Sequence, residues 1–272
     1  MKKTIITLMV LAGAISTGYA AETTITLDGD SSGYVRFSGS ATYDTYVYNT
    51  VANASVTALE PQTGGASMKT VKLNVAEDVT LTVSDYIKLN NRAQTDVNGS
   101  ITLADGAKLS VTNYIQFNCA NGNSAYSTTG VITLGKGATI KASSIDFVDG
   151  QSNQSLTLNA LFSDENMLNL EKSAAGAIYS QTLITLTSGI RNMGTITDSN
   201  LKLGEISQLH DLGYTNVGYI TSTDKLEKGQ YGLVYTNTGM VLAAKAIPEP
   251  TTATLSLLAL AGLMARRRRR KA

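Results

Sequence analysis

The chain has almost no means of covalent bracing and little of the usual catalytic equipment. It holds one cysteine, one histidine, three prolines and no tryptophan in 272 residues. The lone Cys119 cannot form an internal disulfide, so the core must come from packing. It follows the apolar Ile115 and Phe117 and reads as a buried, inert thiol in preference to a nucleophile. A single histidine, His210, excludes multi-histidine metal centres, and a Ser-His-Asp triad would have to use it as base. It lies in Gln208-Leu209-His210-Asp211-Leu212, with no G-x-S-x-G nucleophile motif, and a structural or surface role is expected. Long stretches with apolar residues at helical spacing are scarce too. The body of the chain is dense in Thr, Ser, Asn, Gly, Val and Leu, which points to an all-β fold.

What is present begins at the two ends. Lys2 and Lys3 precede an apolar run from Ile5 to Ile15 and then small residues up to Gly18-Tyr19-Ala20. That layout is a secretory signal peptide, too short to cross a hydrocarbon core of about 30 Å. Residues 1–20 are expected to be removed by signal peptidase after Ala20. At the other end stand Pro248-Glu249-Pro250, an apolar stretch from Ala253 to Met264, and Arg266, Arg267, Arg268, Arg269 and Arg270 followed by Lys271. The prolines keep the backbone extended and open just before a helix that starts near Thr251 and Thr252. To Met264 that helix reaches ~21 Å, short for stable spanning. The arginines cannot follow it across a bilayer, so they stop transfer and stay cytoplasmic.

This three-part tail, residues 247–272, resembles the PEP-CTERM family of sorting signals. Pro248, Glu249 and Pro250 match its motif one by one, and the apolar helix and arginine block match in kind. The resemblance implies recognition by an exosortase, an integral membrane cysteine transpeptidase, and transient inner-membrane anchoring before release to the outer surface or extracellular matrix. A permanent C-terminal anchor is the alternative, against which the shortness of the helix argues.

Setting both ends aside leaves 14 basic against 20 acidic residues, a net charge of about −6. A mildly acidic body of this kind carries no field for nucleic acid.

Within the body, three segments align: Leu73 to Val83, Ile101 to Val111 and Ile132 to Ala142. Each is followed by a second strand, Tyr86-Ile87-Lys88-Leu89-Asn90, Tyr114-Ile115-Gln116-Phe117-Asn118 and the shorter Ile145-Asp146-Phe147. Repetition with a period of about 30 residues marks a solenoid. Stacking the copies gives apolar ladders, Leu73/Ile101/Ile132, Val75/Leu103/Leu134, Leu81/Leu109/Ile140, Ile87/Ile115/Ile145 and Leu89/Phe117/Phe147, with Asp105-Gly106 and Lys136-Gly137 as corners. The expected fold is a right-handed parallel β-helix that resembles autotransporter-type passenger domains. The competing architecture is an antiparallel β meander or sandwich, with hairpins turning at those glycines through three-residue loops.

Residues 21–150 are read as the repeats with an N-terminal cap, and 151–246 as a β-rich C-terminal region where the repeat fades. Thr24 to Leu27 and Tyr43 to Tyr48 are expected strands upstream. Downstream, strands are expected at Ser155 to Leu158, Leu183 to Thr187 and Gly194 to Thr197. A hairpin is expected to turn at Asn237-Thr238-Gly239, and short helices to run over Leu161 to Leu170 and Glu205 to Leu212.

Candidate chemistry is sparse. Asp28-Gly29-Asp30-Ser31-Ser32-Gly33 opens like an EF-hand loop, but position twelve is Gly39 where Glu is required, so a polar turn is favoured. Tyr34, Tyr43, Tyr46, Tyr48, Tyr86 and Tyr114 are candidates for stacking on sugar rings, against the simpler reading that tyrosine suits a half-buried strand. The outward candidates Lys108, Lys141 and Asp146 look scattered, without the laddering a polysaccharide-degrading β-helix enzyme would need. No catalytic residue, metal or cofactor is expected. The sequence reads as a non-enzymatic surface or matrix protein. A carbohydrate-binding adhesin is the alternative, with extracellular polysaccharide as its partner.

Overall fold

The computed structural model describes residues 8–9, 22–37, 45–60, 70–89, 97–117, 127–147, 153–172 and 176–247. The sorting motif, the arginine block, Tyr43 and Cys119 lie outside them, as does the apolar tail segment expected to form a transmembrane helix. Among the described residues no helix is long and apolar enough to cross a membrane.

The chain starts with β1 (Leu8–Met9), β2 (Glu22–Leu27), β3 (Ser31–Val35), β4 (Thr45–Thr50) and β5 (Ala54–Leu59). Three coils of one design follow. The first is β6 (Thr70–Val75), β7 (Thr80–Val83) and β8 (Ile87–Lys88); the second is β9 (Val97–Leu103), β10 (Lys108–Val111) and β11 (Tyr114–Gln116); the third is β12 (Thr128–Leu134), β13 (Thr139–Ala142) and β14 (Ser144–Asp146). The next is β15 (Gln154–Ala160), then helix α1 (Asp164–Lys172), β16 (Ile178–Leu186) and β17 (Ile190–Arg191). Last come β18 (Leu201–Leu203), α2 (Ser207–Asp211), β19 (Thr215–Ile220), a 3-10 turn at Thr223–Lys225, β20 (Gln230–Thr236) and β21 (Gly239–Lys245).

Every coil lies on its counterpart. On the first face β2, β4, β6, β9, β12, β15 and β18 stack in that order, all parallel. On the second, β5, β7, β10, β13 and β16 do the same. On the third, the end of β5 is followed by β8, β11, β14 and β17. The fold is a parallel β-solenoid. The five expected ladders form in the expected register, and Phe117 and Phe147 stack with ring centroids 5.9 Å apart.

The hairpin alternative at the glycines is overturned. Strands on either side of a corner do not pair with each other; Leu103 faces Val75 and Leu134, one coil to each side. Each corner is a four-residue turn closed by one backbone bond, Val79 N–H to Ala76 O, Ala107 N–H to Ala104 O and Ala138 N–H to Gly135 O. Its third residue is left-handed, at φ 55° for Asp78 and 69° for both Gly106 and Gly137, the geometry of a type II turn.

Stacking also outlasts the sequence repeat. β15, the end of β16 and β17 continue all three faces past residue 150, and β18 extends the first once more. The repeat fades to the eye because α1 is inserted at one corner. Ser163 sets its start, the hydroxyl accepting from Asn166 N–H at 3.3 Å and the carbonyl from Met167 N–H. The expected strand at Gly194 to Thr197 does not form. Those residues lead into a turn in which the Asn200 side chain bonds Thr197 N–H and Thr195 O, satisfying the backbone locally. The hairpin does form, β20 against β21, and β21 pairs antiparallel with β16. Asp28 to Asp30 form a bend and Ser31 to Gly33 run into β3, so the EF-like stretch is not wrapped as a loop.

Candidate functional site

The third face carries a polar column that the sequence reading passed over. Val35 pairs with Leu59, Leu59 with Ile87, Ile87 with Ile115, Ile115 with Ile145 and Ile145 with Ile190. These residues form an inward stack. Because side chains alternate along a strand, the residue after each points to the other side. One per coil, these are Arg36, Glu60, Lys88, Gln116, Asp146 and Arg191, a column of nearly alternating sign.

The pairs are sorted by depth. The side chains of Glu60 and Asp146 are 7% and 10% exposed, whereas those of Arg36 and Arg191 are 49% and 50% exposed, and that of Lys88 is 26%. Glu60 is paired with Arg36, lies 3.6 Å from Lys88 Nζ and accepts from the Tyr86 hydroxyl at 2.6 Å. Arg191 holds Asp146 with both Nε, at 2.8 Å, and Nη2. Carboxylates thus sit inside and cations outside.

Burial would raise the pKa of Glu60, but hydrogen bonds from Tyr86 and Arg36 and the charges of Arg36 and Lys88 outweigh it and hold the carboxyl below its usual range. The Tyr86 phenol is pushed up by burial, then by its bond to Glu60. The Arg191 guanidinium is raised by its hydrogen bond to Asp146.

Beside the charges runs a partial column of tyrosines. Tyr86 and Tyr114 stack in parallel, centroids 5.3 Å apart and planes 3° from coplanar, while Tyr34 tilts against Tyr86 at 6.2 Å. Arg36 lies 4.8 Å above the Tyr34 ring and Lys88 Nζ 4.4 Å above that of Tyr86. Tyr34 is half exposed and Tyr86 and Tyr114 half-buried. Tyr46 and Tyr48, also expected outside, are buried instead. Their strand reads Tyr-Val-Tyr with the tyrosines on the inward register, and Phe37 packs on both at 4.9 and 4.7 Å.

The other expected residues are dispersed. Lys108 and Lys141 are exposed on the second face in different columns, opposite Thr139 and Ser110. Asp146 is the correction: it belongs to a ladder and is buried by its arginine. His210 is exposed at the end of α2, its Nδ1 3.9 Å from the carboxylate of its chain neighbour Asp211. Among the described residues no three His, Cys, Asp or Glu side chains gather as metal ligands.

Lys88, Gln116 and Asp146 were within reach of sequence reasoning as the third residue of Tyr-Ile-Lys, Tyr-Ile-Gln and Ser-Ile-Asp. Arg191 was not, since α1 and β16 separate it from its coil. Glu60 and Asp146 stand three coils apart, roughly 14 Å at about 4.8 Å per coil, beyond the roughly 5–9.5 Å of a glycosidase carboxylate pair. No family model, curated protein or solved structure matches the chain.

Proposed function

We propose that the chain is an exported, non-enzymatic structural protein of the cell surface or extracellular matrix, handled by signal peptidase and then by an exosortase-type enzyme. The observation that carries this reading is how the charged column is used. Both buried carboxylates are held by cations of neighbouring coils, so the chemistry on this face ties coil to coil. A coil that repeats by stacking yields a stiff rod whose length scales with copy number, a property suited to a stalk or matrix element. The membrane is a partner only through the tail helix, before processing. Mass spectrometry of the native extracellular product tests the sorting step: the C-terminus should fall near Pro248. Intact Arg266 to Ala272 in that product would defeat it.

A second reading, a carbohydrate-binding module, is favoured by one specific observation, the alignment of Tyr34, Tyr86 and Tyr114 along one face. Screening the full chain on a glycan array tests it, and signals at background for every glycan would count it out.

A further inference from the structure

We infer that the mature chain dimerises head to head, the free edge of β2 pairing antiparallel with β2 of a second copy. The inference rests on removal of residues 1–20 by signal peptidase and goes beyond the export reading by assigning a partner to the end that this cut opens.

Three observations carry it. The first is what covers the edge before processing. Among the described residues only β1 lies beyond β2 on the first face, antiparallel to it, with Leu8 opposite Ile25 and Met9 opposite Thr24. Leu8 and Met9 belong to the leader, so a cut after Ala20 takes this strand away and leaves β2 with a bare edge. β1 also shows the direction in which that edge accepts a strand.

The second is where the backbone groups point. In a strand the N–H and C=O of one residue face the same neighbour, and successive residues alternate sides. Leu27 O accepts from Val51 N–H at 3.0 Å, so Leu27 faces the β4 side, and Thr23 and Ile25 with it. Glu22, Thr24 and Thr26 therefore aim their N–H and C=O groups at the open edge. No proline, lysine or bulge guards β2, and the one charge on it, Glu22, has Lys72 Nζ 3.6 Å away.

The third is self-complementarity. A second copy supplies a strand of equal length, and antiparallel pairing of two identical strands follows a two-fold axis that occupies both edges at once. With Thr24 opposite Thr24, the edge-facing residues meet one another, Glu22 falls opposite Thr26, and inward Thr23 meets inward Ile25. The two cores then abut, since Thr23, Ile25 and Leu27 are all buried on the inward side. Setting Ile25 opposite Ile25 would instead bring Glu22 against Asp28, acid against acid. Growth stops at two copies, because β16 turns to β21 and Asn216 covers β18 at the far end.

Light scattering on the exported chain, its N-terminus established by mass spectrometry, tests the inference. With Ala21 as the first residue, the mass should be twice that of one chain and fall toward one on dilution. Thr24→Pro removes an edge-facing donor and no bond to β4, a change that an edge strand tolerates. It should weaken association roughly thirtyfold, two backbone hydrogen bonds being lost per dimer, and leave the β-sheet circular dichroism unchanged. If that variant misfolds, Thr24→Cys in a Cys119→Ser background gives a second reading. It should cross-link to its copy through a short bis-maleimide, whereas Thr102→Cys, seven coil steps or roughly 34 Å from its own copy, should not. A chain that begins at Ala21 and stays monomeric at every concentration would overturn the dimer and leave export standing. A chain that keeps residues 1–20 would overturn the export reading, and the inference with it. A dimer indifferent to Thr24→Pro, or cross-linked equally at both cysteine positions, would overturn the β2 edge as its contact. Growth into filaments would overturn the closed far end.

Discussion

Asp78, Gly106 and Gly137 occupy the same left-handed corner position in consecutive coils, yet they do not stand in the same surroundings. A Cβ on Gly106 would run into the Asp78 carboxylate one coil away, while a Cβ on Gly137 would meet nothing within 4 Å. Gly137→Ala therefore carries only the left-handed backbone cost of about 1–2 kcal/mol. Gly106→Ala adds a clash, and its loss in urea unfolding should exceed that of Gly137→Ala by about 1 kcal/mol or more. Equal losses would mean that Asp78 swings aside freely.

Glu60 makes a second case at this scale. Its folded pKa is depressed from an ordinary value of 4.5, so the stability it contributes is present above about pH 4.5 and is lost as pH falls through the folded value. Glu60→Gln keeps the shape and removes the charge. It should cost about 1–3 kcal/mol at pH 7, and its urea midpoint should vary less than the parent's between pH 5 and 3. A parallel acid dependence in the two proteins would rule Glu60 out as a contributor.

At the scale of the element, the apolar ladders were legible because identical coils place like residues at like positions. Alternation and a period near 30 residues suffice for that. What pattern alone does not reveal is how unlike residues on opposite walls of the coil fit together. Gly99 and Gly130 pair in register on the first face and look like weak points in their strands, but a Cβ on either would come within 2.9 Å of the Phe117 ring. The phenylalanine fills the space those glycines vacate. The same limit hid the inward tyrosines of β4: Tyr46 and Tyr48 read as surface residues until Phe37 is seen packed on them. A different limit hid the end of the column on the third face: Arg191 pairs in register with Asp146, but α1 and β16 lie between them in the sequence.

The packing can be checked by exchange of volume. Gly130→Val should cost about 1–3 kcal/mol through overpacking, and Phe117→Leu a similar amount through lost contacts. The double variant should lose less than the sum of the two in a thermodynamic cycle. Strict additivity would mean that the two walls do not share the space.

For the whole molecule the question is how an indefinitely stackable coil ends. At the C-terminal end β18 is the last strand of the first face, and the Asn216 side-chain amide reaches its Leu203 carbonyl and that of Gly204 at 3.2 and 3.3 Å. On the second face β16 turns from parallel stacking with β13 to antiparallel pairing with β21, which hands the sheet to β20 and β19. A further coil has no vacant place there, and closure of this kind protects a sheet edge from pairing with other chains. Tyr231 on β20 ties the closing sheet to the chain that leaves β18. Its hydroxyl donates to Glu205 Oε1 at 3.0 Å and accepts from Ile206 N–H at 3.1 Å, and the side chain is fully buried.

Burial pushes this phenol up to about 12; the Ile206 N–H pulls the other way, and the Glu205 carboxylate adds to the rise. A raised folded pKa in a group that ionises near 10 means its contribution is fully present below pH 10 and is lost as pH climbs toward 12. Tyr231→Phe removes both bonds and leaves the Ile206 N–H without its acceptor, so about 1–3 kcal/mol should be lost at pH 7. The variant's unfolding free energy should also decline less steeply than the parent's between pH 10 and 12. Some decline should persist, because the Tyr48 and Tyr86 phenols are raised as well. If the closing sheet is integral to the rod, the near-neutral loss will appear as one shifted, still cooperative transition. A separate early transition for the C-terminal hairpin would instead show that the coils stand without it.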